Sequence, residues 1–254
     1  MALLITVLGS CVVAASSAVA ADRPASPAGP AWWSNPPSSA SPVPGPKVPD
    51  YGSAVAAGSG SGTARPPYKA TVYAVTTSTV RYSWRTGCPV APSQLRLIRL
   101  RYYGFDHESH VGRIIVNASV VDAVIKVFGL LYAARFPIRR MVPVDAYHGQ
   151  DPASMAADNT SGFNCRRAVA PGSPQWSVHA YGEAIDVNPV ENPYIDAGVV
   201  MPAAGATFVD RADVRPGMAV PGGTLVEAFA SVGWYWGGRW TGSPDYQHFS
   251  STGG

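Results

Sequence analysis

The run Ala184-Ile185-Asp186-Val187 places a carboxylate inside an apolar strand. A carboxylate buried there without a partner is costly, so the fold must bring a metal or a cation to Asp186. His179 stands seven residues upstream, with Gly182 between them to permit a tight turn in which a side chain would obstruct the site. About sixty residues downstream, Asp245-Tyr246-Gln247-His248-Phe249 supplies a second imidazole and a second carboxylate, on what reads as a last short strand. Each half is incomplete, so the two strands must meet. Two imidazoles and a carboxylate are the protein ligands of a catalytic zinc ion, whose fourth position is kept for water. Taken singly, the same residues have plainer readings. His248 alone is a satisfied core or surface histidine, and Asp245 alone is a turn cap after Gly242-Ser243-Pro244.

The 254 residues suffice for one large domain or two small ones. Charged residues make up only 14%, while there are 26 Gly and 24 Pro, a turn-rich texture found in exported proteins. A formal charge of +3 gives no footing for a nucleic-acid partner and is compatible with an anionic surface such as a cell wall.

Residues 2–20 are almost wholly apolar or small, and Ala18-Val19-Ala20 presents small residues where a signal peptidase reads. Residues 1–20 are therefore expected to be a signal peptide, leaving no membrane span after cleavage. No Lys or Arg precedes Arg23, so a positive n-region would have to lie upstream. Leu8-Gly9-Ser10-Cys11 offers the alternative of a lipoprotein anchored through Cys11. Export leaves Cys88 and Cys165 as an even pair, read as one disulfide, the alternative being two buried thiols.

Residues 21–67 hold 11 of the 24 prolines and are read as a solvated linker, which cannot bury enough apolar surface to offset its ordering entropy. Trp32-Trp33 is its one odd feature. The domain proper is expected over 68–254. Ala70–Val80 reads as extended, with a short helix as the alternative, Leu95–Leu100 and Arg113–Val116 as strands, and Ser119 to about Arg135 as a helix with a wide apolar face, started by Ser119 and Asp122. Ile138–Val144 reads as a strand, 146–162 as a long polar loop, 163–166 as extended, 188–223 as loop-rich, and Thr224–Val232 as a second helix ended by Gly233. His110 reads as structural.

Ser177-x-His179-x-x-Gly182-x-Ala184-x-Asp186 followed by Asp245-x-x-His248 resembles the zinc D-Ala-D-Ala carboxypeptidases of peptidase family M15. Within that family the chain is most similar to the VanY-like and L-alanyl-D-glutamate endopeptidase branch. The resemblance spans roughly residues 70–254. It implies an α+β fold, a small antiparallel sheet with flanking helices, shared with hedgehog signalling domains. It also implies a bound Zn2+ held by His179, Asp186 and His248, with Asp245 as general base. An upstream arginine that holds a substrate carboxylate or polarises the carbonyl corresponds to Arg166, and Ser177 would brace a ligand by hydrogen bonding. The implied substrates are peptidoglycan stem peptides, cut by a secreted or wall-located monomer as a D,D-carboxypeptidase or an L-Ala-D-Glu endopeptidase. A zinc-bearing wall-binding module without turnover is the alternative from another class.

Overall fold

The computed structural model describes residues 65–169 and 175–253. The expected signal peptide, Cys11, Trp32-Trp33 and the linker up to residue 64 lie outside them.

The first sheet is an antiparallel meander of β1 (Ala70–Ala74), β2 (Leu95–Tyr103) and β3 (Ser109–Asn117). Side chains alternate between the faces of a strand. Ile98, Leu100, Ile114 and Val116 therefore enter the main core, whereas Leu95, Leu97 and Ile115 enter a smaller one with Val75, Val80, Phe163 and Cys165. The helix α1 (Val121–Ala133) covers the main-core face with Val124, Phe128 and Leu131, and packs on β2 and on α3 (Thr224–Ala230). A disulfide joins Cys88 to Cys165 across the smaller core, with Cα atoms 6.0 Å apart.

The second sheet carries the residues of interest. It runs β4 (Ala184–Asp186), β8 (His248–Ser250), β7 (Tyr235–Trp236), all antiparallel. Ile185 pairs with Phe249, and both point into the main core, where Phe249 stacks on Phe229 of α3 at 4.1 Å. A third, two-stranded sheet pairs β5 (Tyr194–Asp196) with β6 (Val199–Met201). The fold is thus α+β, as expected, although its antiparallel structure is split among three small sheets. Among the described residues no helix is long and apolar enough to cross a membrane.

Several local expectations change. The first helix is not started by Ser119. Asn117, the last residue of β3, accepts from the Ser119 N–H at 3.1 Å and the Ser119 hydroxyl at 3.0 Å, and a 3-10 turn over Ala118–Val120 leads into α1. Ile138–Val144 forms no regular strand, because its backbone is bonded piecemeal. Arg139 N–H donates to the Asn188 side chain, Val142 N–H to the Asn159 side chain, and only Pro137 and Met141 make isolated bridges. The long loop 146–162 contains a short helix, α2 (Asp151–Ala156), with Pro152 in its first turn. His110 is a surface residue stacked on Tyr102 and paired with Asp106 at 2.9 Å, in keeping with a structural role.

Candidate metal centre and active site

Asp186 and His248 stand directly opposite in the β4–β8 register, so their side chains project on one face, away from Ile185 and Phe249. The other edge of Asp186 is bonded to Ser161, which exchanges both backbone hydrogen bonds with it at 2.9 and 3.0 Å. The carboxylate is thus held between two neighbouring segments. His179 arrives from a 3-10 turn over Val178–Tyr181. Gly182 closes that turn at φ +72°, and a Cβ there would lie 2.6 Å from the Asn117 nitrogen. The steric need for glycine is therefore set by β3 beneath the turn, not by the site above it.

Three ligand-type atoms converge. His179 Nε2 lies 3.2 Å from Asp186 Oδ1 and 3.2 Å from His248 Nδ1, and His248 Nδ1 lies 3.2 Å from Asp186 Oδ1. All three residues are buried, at 2%, 4% and 6% exposure for His179, Asp186 and His248. His179 Nδ1 donates to the Gly162 carbonyl at 2.8 Å. A carbonyl can only accept, so Nδ1 carries a proton and Nε2 faces the triangle, with a lone pair available there whenever the ring is neutral.

Burial alone pushes the Asp186 carboxyl up, but His179 and the hydrogen bonds from both imidazoles outweigh it and leave it below the usual carboxylate range. Burial likewise lowers His248. In His179 burial works against the charged ring, but the attraction of Asp186 prevails and raises it.

The donor set fits a zinc ion. Ligand bonds of about 2.0–2.1 Å in tetrahedral array give ligand-to-ligand edges of about 3.3–3.4 Å, close to the three separations found. Two imidazole nitrogens and a carboxylate oxygen packed this closely in a buried site call for a shared proton or a cation at their centre. These three form the one cluster of His, Cys, Asp and Glu among the described residues with atoms close enough for a metal.

Asp245 is not a member of that triangle. It sits in the turn before β8, where its N–H donates to the Gly237 carbonyl at 3.1 Å, and it forms an isolated bridge to Tyr194 of β5. Its Oδ1 is enclosed and has no hydrogen-bond partner among the described residues. Burial, followed by the charge of Asp186, pushes its carboxyl well above the usual range, while His179 and Arg166 pull the other way. A Cβ on Gly237 would lie 3.2 Å from the Cβ atoms of both Asp245 and His248. That glycine permits the close packing beneath the pair. Trp240, 36% exposed, places its ring 5.3 Å from that of His248 and forms a rim of the site.

Arg166 lies on the segment pinned by the disulfide, half-buried, and its charge bears on His179, Asp245 and His248. Its Nε is 2.9 Å from Asp151 Oδ2.

Ser177 contacts the backbone of His179 and not its ring. Its hydroxyl accepts from the His179 backbone N–H at 3.3 Å, capping the turn, and the ring itself is oriented by Gly162. Gly162 was not legible as a site residue. Its Cβ would stand 2.4 Å from the Ile115 carbonyl, so only glycine lets this segment run close enough to β3 to aim its carbonyl at the ring. Asp151 was also missed; Asp-Pro opening a helix was its only sequence signal.

The family model described as D-alanyl-D-alanine carboxypeptidase, Peptidase_M15_4, matches residues 171–251. The matched segment contains Ser177, His179, Asp186, Asp245 and His248, while Arg166, Asp151 and the disulfide lie before it. Comparison with curated proteins and with solved structures gave no significant match.

Proposed function

From the assignment of this chain to peptidase family M15, and to a peptidase of the D-alanyl-D-alanine carboxypeptidase kind, we propose that it is an exported, zinc-dependent hydrolase of peptidoglycan stem peptides. The observation that carries the proposal is the buried triangle of His179, Asp186 and His248, with ligand atoms 3.2 Å apart and the enclosed carboxyl of Asp245 nearby.

His179, Asp186 and His248 would hold the zinc ion, with Gly162 fixing the tautomer of His179. Zinc there would supply Lewis acidity toward the scissile carbonyl and toward water. Asp245 takes a proton from the attacking water and delivers it to the leaving amine. Its carboxyl is enclosed beside the triangle, where a group that exchanges a proton with the attacking water is needed. Arg166 supplies positive charge from the disulfide-pinned side, for a substrate carboxylate or for the developing oxyanion. No serine or cysteine nucleophile enters the scheme, and Cys165 is held in a disulfide.

The description of the matching family favours release of a terminal D-alanine over internal cleavage. Zinc-loaded protein incubated with purified muropeptides, followed by mass analysis of the fragments, tests the reading. Loss of a single terminal alanine is the expected result. Separation of the stem peptide from glycan-linked alanine would place the cut at the L-Ala-D-Glu bond instead. Binding without any product would make the chain a wall-binding module. The disulfide is compatible with an extracellular setting, and the protein is taken to act as a monomer in the wall.

A further inference from the structure

Arg166 reaches the site with one edge of its guanidinium facing a carboxylate. Nε lies 2.9 Å from Asp151 Oδ2, an ion pair without hydrogen-bond geometry, Nη1 has only the Arg167 carbonyl at 3.4 Å, and Nη2 bonds to nothing among the described residues. The anchoring carboxylate is itself held from its other side, since Asp151 Oδ1 accepts from Asn164 Nδ2 at 3.2 Å. Asn164 in turn donates its backbone N–H to the His179 carbonyl at 3.1 Å. Asp151, Asn164 and Arg166 thus form one unit tied to the turn that carries His179. Asp151 opens α2, and that short helix is tied to the segment that follows it. The Ser154 hydroxyl accepts from the buried Asn159 amide at 2.9 Å.

We infer that Asp151 is a positioning residue. Its charge draws the Nε edge of Arg166 toward itself, so that the free Nη edge presents a fork to the terminal carboxylate of the peptide substrate. The inference rests on the peptidase reading and deepens it. A guanidinium matches a carboxylate best as a planar, two-point partner, and one whose orientation is already fixed loses less freedom on binding. The contribution of Arg166 is recognition and charge. Tethering it to Asp151 reserves that charge for one direction.

The test uses zinc-loaded protein and a tripeptide ending in D-alanyl-D-alanine, as the free acid and as its C-terminal amide. Asp151→Asn is expected to raise KM for the free acid about ten- to hundredfold, the scale of one misdirected hydrogen bond between Arg166 and the substrate carboxylate. Its kcat should change little, and its KM for the amide should barely move. Calorimetric titration with D-alanyl-D-alanine and its amide should show the same loss of preference for the acid. Arg166→Ala should behave alike, and the double variant should match Arg166→Ala alone.

Unchanged acid-over-amide preference in Asp151→Asn would overturn the inference, and so would effects of Asp151→Asn and Arg166→Ala that simply add. If Asp151→Asn fails to fold, Asp151→Glu carries the test, with an intermediate KM for the acid expected and an unchanged preference again overturning it. A wild-type protein that cleaves both peptides equally well sinks the inference while leaving the peptidase reading intact. One that cleaves neither peptide nor any muropeptide sinks both.

Discussion

Asp186 and His248 face each other across the β4–β8 ladder with Nδ1 and Oδ1 3.2 Å apart, and the residues beside them in the same ladder, Ile185 and Phe249, are fully buried in the core. One strand pair therefore builds the metal triangle on one face and the hydrophobic core on the other. The alternation of side chains along a strand ties the two together, because a slip of one residue would exchange core and site.

The roles of the two C-terminal site residues should separate. His248→Ala is expected to lose zinc and activity together. Asp245→Asn should keep zinc at full stoichiometry while turnover falls about a hundred- to ten-thousandfold, the usual contribution of a positioned proton-transfer group. Metal content by elemental analysis, set beside kcat, checks the split. Equal zinc loss in both variants would contradict it.

Phe249 links the core to the site. Phe249→Ala should cost about 3–5 kcal/mol, since it removes a fully buried ring stacked on Phe229 and lying 6.4 Å from that of Trp236. Urea unfolding measures this. Zinc affinity should also weaken, because the register partner of the lost ring lies beside Asp186.

Gly182→Ala should destabilise by more than about 1 kcal/mol, the scale of a side chain forced into the left-handed region. The φ of +72° is one cause, and the added Cβ meeting the Asn117 nitrogen at 2.6 Å is the other. Thermal unfolding together with zinc titration would detect both the strain and the displaced His179 turn. A variant as stable as the parent would show that β3 yields without cost.

Glu191 gives a pH signature separate from catalysis. It is buried beside Asp158, with Arg139 Nη2 at 3.8 Å from its carboxyl. Burial, then the charge of Asp158, pushes its carboxyl up to about 8 from an ordinary value of 4.5. The folded state therefore keeps a proton that the unfolded chain releases. The stability this contributes is fully present below pH 4.5 and is lost as pH rises toward about 8. Denaturation midpoints measured across that window should fall with rising pH. Glu191→Gln, which keeps the shape without the charge, should flatten the decline.

Replacing Cys88 and Cys165 together by serine should cost about 4 kcal/mol, on the loop-entropy estimate for a cross-link spanning 77 residues. Because Cys165 immediately precedes Arg166, the variant should also show a higher KM at temperatures where it remains folded. Steady-state kinetics alongside unfolding curves would check both effects.

Much of this was written in the chain itself. A carboxylate within Ala184-Ile185-Asp186-Val187 demanded a partner, and the imidazoles at 179 and 248 were there to meet it, because burying charge carries a penalty that sequence pattern exposes. The apolar face of α1 was legible for the same reason: periodicity reports which side of a helix leaves water. Ile138–Val144 was misread as a strand, since its composition suits one while its hydrogen bonds go to the side chains of Asn188 and Asn159 from elsewhere in the chain. Gly162 and Asp151 carry no local signal for their parts. The Gly162 carbonyl orients His179 only because β3 passes beneath it, and Asp151 meets Arg166 only because the fold brings the start of α2 beside Asn164 and Arg166. Sequence by itself determined which chemical groups had to be paired. Tertiary structure decided which backbone atoms and distant carboxylates hold them in place, because those contacts join residues whose separation along the chain says nothing of their distance in space.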